Sequence, residues 1–208
     1  MMRRHLSRPS RAKKEDGVAT YTLTHFVDEM TALIAEEQKE RQIVQKAKPL
    51  LVRLLQNKEF LPAACQRVLH SDWPSQFPLY RAADNTLSVT AVVWGPGHFA
   101  PSHDHRTWGL IGVYSGQMRE TRYQRVDDSS RPEYAELRQV GVNEAREGEV
   151  WHLLPPDEEI HKMENVSDQP TIEIHVYGRD LLHYPRHRFN LETGAITPFM
   201  TKEYDIME

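Results

Sequence analysis

Downstream of Pro78 the chain is written in short alternating runs, and nothing else in the sequence constrains its fold as strongly. Leu87, Val89, Ala91 and Val93 alternate with Ser88, Thr90 and Val92 until Trp94-Gly95-Pro96-Gly97 breaks the pattern. In an extended strand successive side chains point to opposite faces, so such a run offers one face to a core. Further runs fall at 107–114, 118–126, 134–140, 150–154, 160–165 and 171–177. Short strands at near-regular spacing, with turn residues between them, predict an all-β sandwich or barrel.

Ahead of Pro78 the period is helical. Leu23, Phe26, Val27, Met30, Leu33 and Ile34 form one apolar stripe, and the charged run from Glu36 to Arg41 marks a solvated face or a break. Pro49 is expected to open a second helix, because a missing N–H is harmless in a first turn, with Leu50, Leu51, Leu54 and Leu55 following. A third short helix is expected over 62–69. This part is too small and too polar to fold alone, which makes it a cap (about 21–72) on a β-barrel (about 78–208) within one domain, 21–208. The opening MMRRHLSRPSRAKKEDG holds six Lys/Arg and no core former beyond Leu6, so residues 1–20 are expected to be a disordered basic tail. An Arg-rich targeting segment is the alternative for this stretch.

Composition narrows the function classes. The 208 residues carry a net charge of −4, and the basic tail lacks interleaved aromatics, so no nucleic-acid partner is expected. No apolar run is long enough to span a membrane. A single Cys65 excludes internal disulfides and Cys-rich zinc sites, which suits a cytoplasmic protein. Eleven histidines remain, eight of them between His98 and His187. Any metal must therefore be held by imidazole.

His103 and His105 lie two apart in Pro101-Ser102-His103-Asp104-His105, a spacing that in a strand aims two imidazoles at one point. A bare pair of this kind is also found as two surface histidines on a loop. The surroundings add Gly97 upstream, Gly109 and Gly116 downstream, and later Pro156, His161 and Asn165. This resembles the two-part signature of the cupin superfamily, G(X)5HXH(X)3-4E(X)6G followed by PXG(X)2H(X)3N. Two positions depart from it. Gly109 replaces the Glu ligand, and Glu158 stands where the second motif has Gly. From Pro78 onward the chain is also similar to the thiol dioxygenases among the cupins, the branch of cysteine dioxygenase and 3-mercaptopropionate dioxygenase. The shared residues are Trp94-Gly95-Pro96-Gly97-His98, 103–112, Gly116-Gln117-Met118-Arg119-Glu120-Thr121 and His175-Val176-Tyr177-Gly178.

The resemblance implies a mainly β fold, the cupin double-stranded β-helix or jelly-roll barrel, with an N-terminal helical cap. It implies Fe(2+) on His103, His105 and His161, and an oxidoreductase that adds both atoms of O2 to the sulfur of a small mercapto-carboxylate such as 3-mercaptopropionate or cysteine, giving a sulfinic acid. Partners would be the thiol and O2 alone, with no membrane and a monomer or small homo-oligomer. A three-His iron dioxygenase with a non-thiol substrate and a metal-binding cupin without catalysis are the alternatives, and three imidazoles alone do not exclude zinc.

The run 171–177 carries Ile172, Ile174 and Val176 on one face and Glu173, His175 and Tyr177 on the other. The family has a Ser-x-His-x-Tyr relay here, in which the tyrosine hydroxyl reaches toward the metal's ligands and the histidine orients it. Glu173 takes the Ser position, and a buried carboxylate there needs a partner, naturally the His175 ring. These three are the candidate catalytic residues. Arg186 sits where the 3-mercaptopropionate branch has its carboxylate-binding Arg, and Arg81 lies near the Arg that cysteine dioxygenases use. Gly109 also fills the position of the Cys that animal-type enzymes crosslink to the Tyr, so no crosslink is expected. His98 is a possible lining residue; Trp94 and Trp108 are assigned to the core.

Overall fold

A computed structural model describes residues 20–206, and the predicted basic tail lies outside these residues except for Thr20. Helix α1 spans Leu23–Glu36 and begins at Thr22, whose hydroxyl accepts the His25 backbone N–H. Helix α2 spans Glu40–Gln56 and buries Ile43, Val44, Ala47, Leu51, Leu54 and Leu55 on one stripe. Pro49 does not open this helix but lies inside it. Pro49 and Gln45 are both exposed, so the carbonyl that loses its helical partner faces solvent while the apolar stripe runs on unbroken. The third helix is reduced to one 3-10 turn, Ala63–Gln66.

Eleven strands follow among the described residues: β1 Ser75–Arg81, β2 Ser88–Trp94, β3 Phe99–His103, β4 Gly109–Ser115, β5 Gln117–Arg125, β6 Leu137–Arg146, β7 Val150–Leu153, β8 His161–Glu164, β9 Thr171–Tyr177, β10 Arg186–Phe189 and β11 Ile196–Phe199. They form two antiparallel sheets, ordered β1-β2-β9-β4-β7 and β11-β10-β3-β8-β5-β6. This interleaving of strands distant in sequence is the expected double-stranded β-helix. The barrel begins at Ser75, three residues ahead of Pro78, because Pro78 occupies a register shift in β1 and so removes no regular ladder bond.

Each face of the five-stranded sheet has its own core. Val89, Ala91, Val93, Leu110, Ile172, Ile174 and Val176 pack outward against the two helices. Val92, Trp94, Ile111, Val113 and Tyr177 point inward and meet Met118, Leu153 and Met163. The cap is admitted by Gly112, where an added Cβ would lie 2.7 Å from Leu55 Cδ1. Among the described residues no helix is long and apolar enough to cross a membrane.

Candidate metal centre and cavity

The barrel interior opens into a cavity of about 360 Å³, with His103, His105 and His161 in its wall beside His175, Tyr177 and Arg186. His103 closes β3, His105 follows it in the loop, and His161 opens β8 opposite His103. All three are buried, and one ring nitrogen from each lies within 4.8 Å of the others. His103 Nδ1 lies 2.8 Å from the Pro101 carbonyl and must donate to it. His161 Nδ1 lies 2.9 Å from Glu120 Oε1 and donates there. Both rings therefore turn a lone pair on Nε2 into the cluster. His161 Nε2 faces His105 Nε2 at 2.9 Å, a pairing of ring nitrogens that fits a cation held between them. Burial, followed by the neighbouring histidines and arginines, holds His103 and His105 well below the usual imidazole range, in the neutral form that a metal requires.

The supporting residues explain the geometry. Burial opposes the charge of Glu120, yet His161 and Arg122 hold its carboxyl down at about 2, and a carboxylate behind a ligating ring fixes its orientation. Glu159 accepts the backbone N–H groups of His105 at 3.0 Å and of Arg106 at 2.6 Å. Arg106 has a φ of 57°, so this carboxyl clasps a left-handed turn directly after His105. Burial pushes it up to about 7 against those two donors. Asp104, between His103 and His105, accepts the His187 N–H and pairs with His187 Nδ1, both at 2.7 Å.

A buried chain of hydrogen bonds crosses the cavity floor. Trp94 Nε1 donates to Glu173 Oε2 at 2.8 Å, His175 Nε2 lies 3.1 Å from the same oxygen, and His175 Nδ1 lies 2.7 Å from the Tyr177 hydroxyl. Tyr177 stacks on His105 with ring centroids 5.0 Å apart. Burial pushes its hydroxyl above the usual range, so it stays protonated. Gly109 makes room for the ring: a Cβ there would sit 2.8 Å from Tyr177 Cδ1.

The two candidate arginines are separated by the fold. Arg186 is buried in the cavity wall, where one terminal nitrogen donates to Thr201 at 2.7 Å and Nε has no partner. Arg81 does not line the cavity. It ends β1 half-exposed and is taken by Asp180, which also accepts from Tyr204 of the cavity wall. His98 faces away from the cavity too, accepting the Gly95 N–H and reaching the Ser71 carbonyl. Sequence reasoning missed Glu120, Glu159, Asp104 and the Trp94 indole, because each acts on a residue far away in the chain. It also missed the wall made by residues 199–204, whose far end is fastened by Asp205 to the Gln76 N–H and to His70.

The profile of the family described as cysteine dioxygenase type I matches residues 82–187. Among solved structures, an uncharacterized conserved protein with a double-stranded β-helix domain from Klebsiella pneumoniae is 14% identical, covering 71% of this chain and 95% of that one at a TM-score of 0.42. The cupin domain of an XRE family transcriptional regulator from Enterobacter cloacae is 13% identical over 51% of this chain and 97% of its own, at a TM-score of 0.38. An oxalate oxidase is 17% identical over 54% of either chain, at a TM-score of 0.40. The family match takes in slightly more than half of the chain and all three clustered histidines, and on it the chain belongs to the cysteine dioxygenase type I family.

Proposed function

We propose that this protein is an iron-dependent thiol dioxygenase of the cytoplasm, acting on a small mercapto-carboxylate. The reading is carried by one juxtaposition: three clustered imidazoles and a buried Arg186 without a carboxylate partner line the same cavity. A buried guanidinium is unfavourable unless an anion meets it, and its planar fork matches a carboxylate.

His103, His105 and His161 would hold Fe(2+), which when bound supplies a centre where thiol sulfur and O2 meet and exchange electrons. Arg186 anchors the substrate carboxylate through its fork and thereby points the thiol at the histidines. Tyr177 sets its hydroxyl beside His105; because His175 Nε2 donates to Glu173, His175 Nδ1 accepts the hydroxyl proton, and the phenol oxygen is left to accept a hydrogen bond from the bound substrate. Glu173 and Trp94 fix the His175 ring from behind. Met163, Leu181 and Val92 keep this part of the cavity apolar and limit competing water. In the net reaction a thiol RSH and O2 give RSO2H. The sulfur is oxidised by four electrons, O2 is reduced by the same four, and no external reductant is consumed. The Arg186 anchor favours this reading over a non-thiol dioxygenase or a metal-binding protein without catalysis.

Metal analysis of the purified protein, then O2 uptake with 3-mercaptopropionate, cysteine, 2-mercaptosuccinate and cysteamine, tests the proposal. Thiol-dependent uptake by iron-replete protein is expected. Arg186→Ala should raise KM for the carboxylated thiols far more than for cysteamine. Absence of thiol-dependent uptake in an iron-replete sample overturns the assignment.

A further inference from the structure

We infer that the cavity takes a thiol bearing two carboxylates, with Arg186 binding the inner carboxylate and Arg188 the outer one. This rests on the thiol dioxygenase reading and narrows its substrate class. Arg188 lies directly opposite His103 where β10 pairs with β3, and Arg186 lies opposite Phe199 where β10 pairs with β11. Directly opposed residues share a sheet face, as do residues two apart on one strand. His103, Arg186, Arg188 and Phe199 therefore line one wall.

The side chains agree with the backbone register. The Phe199 ring meets the Arg186 guanidinium at 4.5 Å and the Arg188 guanidinium at 4.6 Å, and stands edge-on to His103 at 6.0 Å. Arg186 is buried and Arg188 is exposed, so the cations are graded in depth from the histidines toward the mouth. Neither makes a salt bridge among the described residues, and Arg188 makes no hydrogen bond there. Arg186, Arg188 and Lys202 line the cavity against one carboxylate, Glu203, and this net positive lining makes a local field for a dianion. A single carboxylate needs only one fork. Arg188, on the mouth side, is left for a second.

Two probes separate the two sites. 2-Mercaptosuccinate is 3-mercaptopropionate with one more carboxylate, on the carbon that carries sulfur. In iron-replete protein, kcat/KM is expected to favour 2-mercaptosuccinate, and Arg188→Ala should lower the ratio of the two kcat/KM values by about tenfold, the worth of one charge-assisted hydrogen bond. Calorimetry on metal-free protein gives a readout independent of turnover. Succinate should bind more tightly than propionate, with an advantage that shrinks in salt and vanishes in Arg188→Ala. Turnover of 3-mercaptopropionate with an unchanged ratio in the variant, or no advantage for succinate, overturns the inference and leaves the thiol dioxygenase reading standing. Oxidation of neither thiol overturns both.

Discussion

Strand β9 is buried on both faces, and the two faces achieve burial by different means. Outward, Ile172, Ile174 and Val176 meet α1 and α2 through carbon alone. Inward, Glu173, His175 and Tyr177 are joined in a line of hydrogen bonds that ends beside the histidine cluster, with Glu173 Oε1 left without a partner. An apolar contact can be exchanged for another of similar volume at small cost, whereas a buried polar chain depends on every member. The outer face should therefore govern stability and the inner face chemistry.

That division can be broken most severely at the histidines. His161→Ala removes one of the three clustered rings and leaves the Glu120 carboxylate facing the gap. Thiol-dependent O2 uptake and metal retention are expected to be lost while circular dichroism still reports the β-barrel. The matching experiment under the cap is Leu54→Ala, at a fully buried side chain. It should cost about 2–5 kcal/mol in chemical denaturation, with kcat per folded molecule unchanged. Should Leu54→Ala alter kcat as strongly as stability, the two faces are not independent.

A smaller effect is expected at Gly109, where the inner face is closest-packed. Gly109→Ala forces a methyl against the Tyr177 ring, costing about 1–3 kcal/mol of stability and lowering kcat by displacing the hydroxyl. A normal kcat in this variant would show that the position of Tyr177 is unimportant.

An effect confined to high pH sharpens the comparison further. The fold raises the Glu159 carboxyl from 4.5 to about 7 and so prefers its protonated form. Its contribution is complete below pH 4.5 and is lost as pH rises through 7. Metal-free Glu159→Gln, which keeps an acceptor for the two N–H groups, should match the parent at about pH 5 and exceed it at about pH 8, by about 2–3 kcal/mol at most. Equal stabilities at both pH values would mean that Glu159 titrates normally.

The outer face and the histidines were the legible parts of this sequence. Period-two alternation located β9 at its observed bounds, because one side of that strand is wholly apolar. Strands β3 and β10 escaped notice for the same physical reason reversed. Their inner faces line a polar cavity, so Arg186-His187-Arg188 and Pro101-Ser102-His103 show no apolar rhythm. Pro49 misled because exposure, unreadable from local sequence, decides whether a helix tolerates proline. Sequence position favours Arg186 over Arg81 as the carboxylate anchor, and the fold pairs Arg81 with Asp180. Trp94, assigned to packing, also donates to Glu173, which its aromatic body conceals in a hydrophobicity pattern.

Asp104 stands between His103 and His105 in the chain, and it grips His187, which stands between Arg186 and Arg188. One carboxylate thus locks the loop of imidazoles to the strand of guanidinium groups, and the gap between the two sets cannot drift without breaking it. The molecule carries a built-in ruler. A ligand that touches both ends therefore meets a spacing held by this one pairing, and loosening Asp104 would loosen both ends at once.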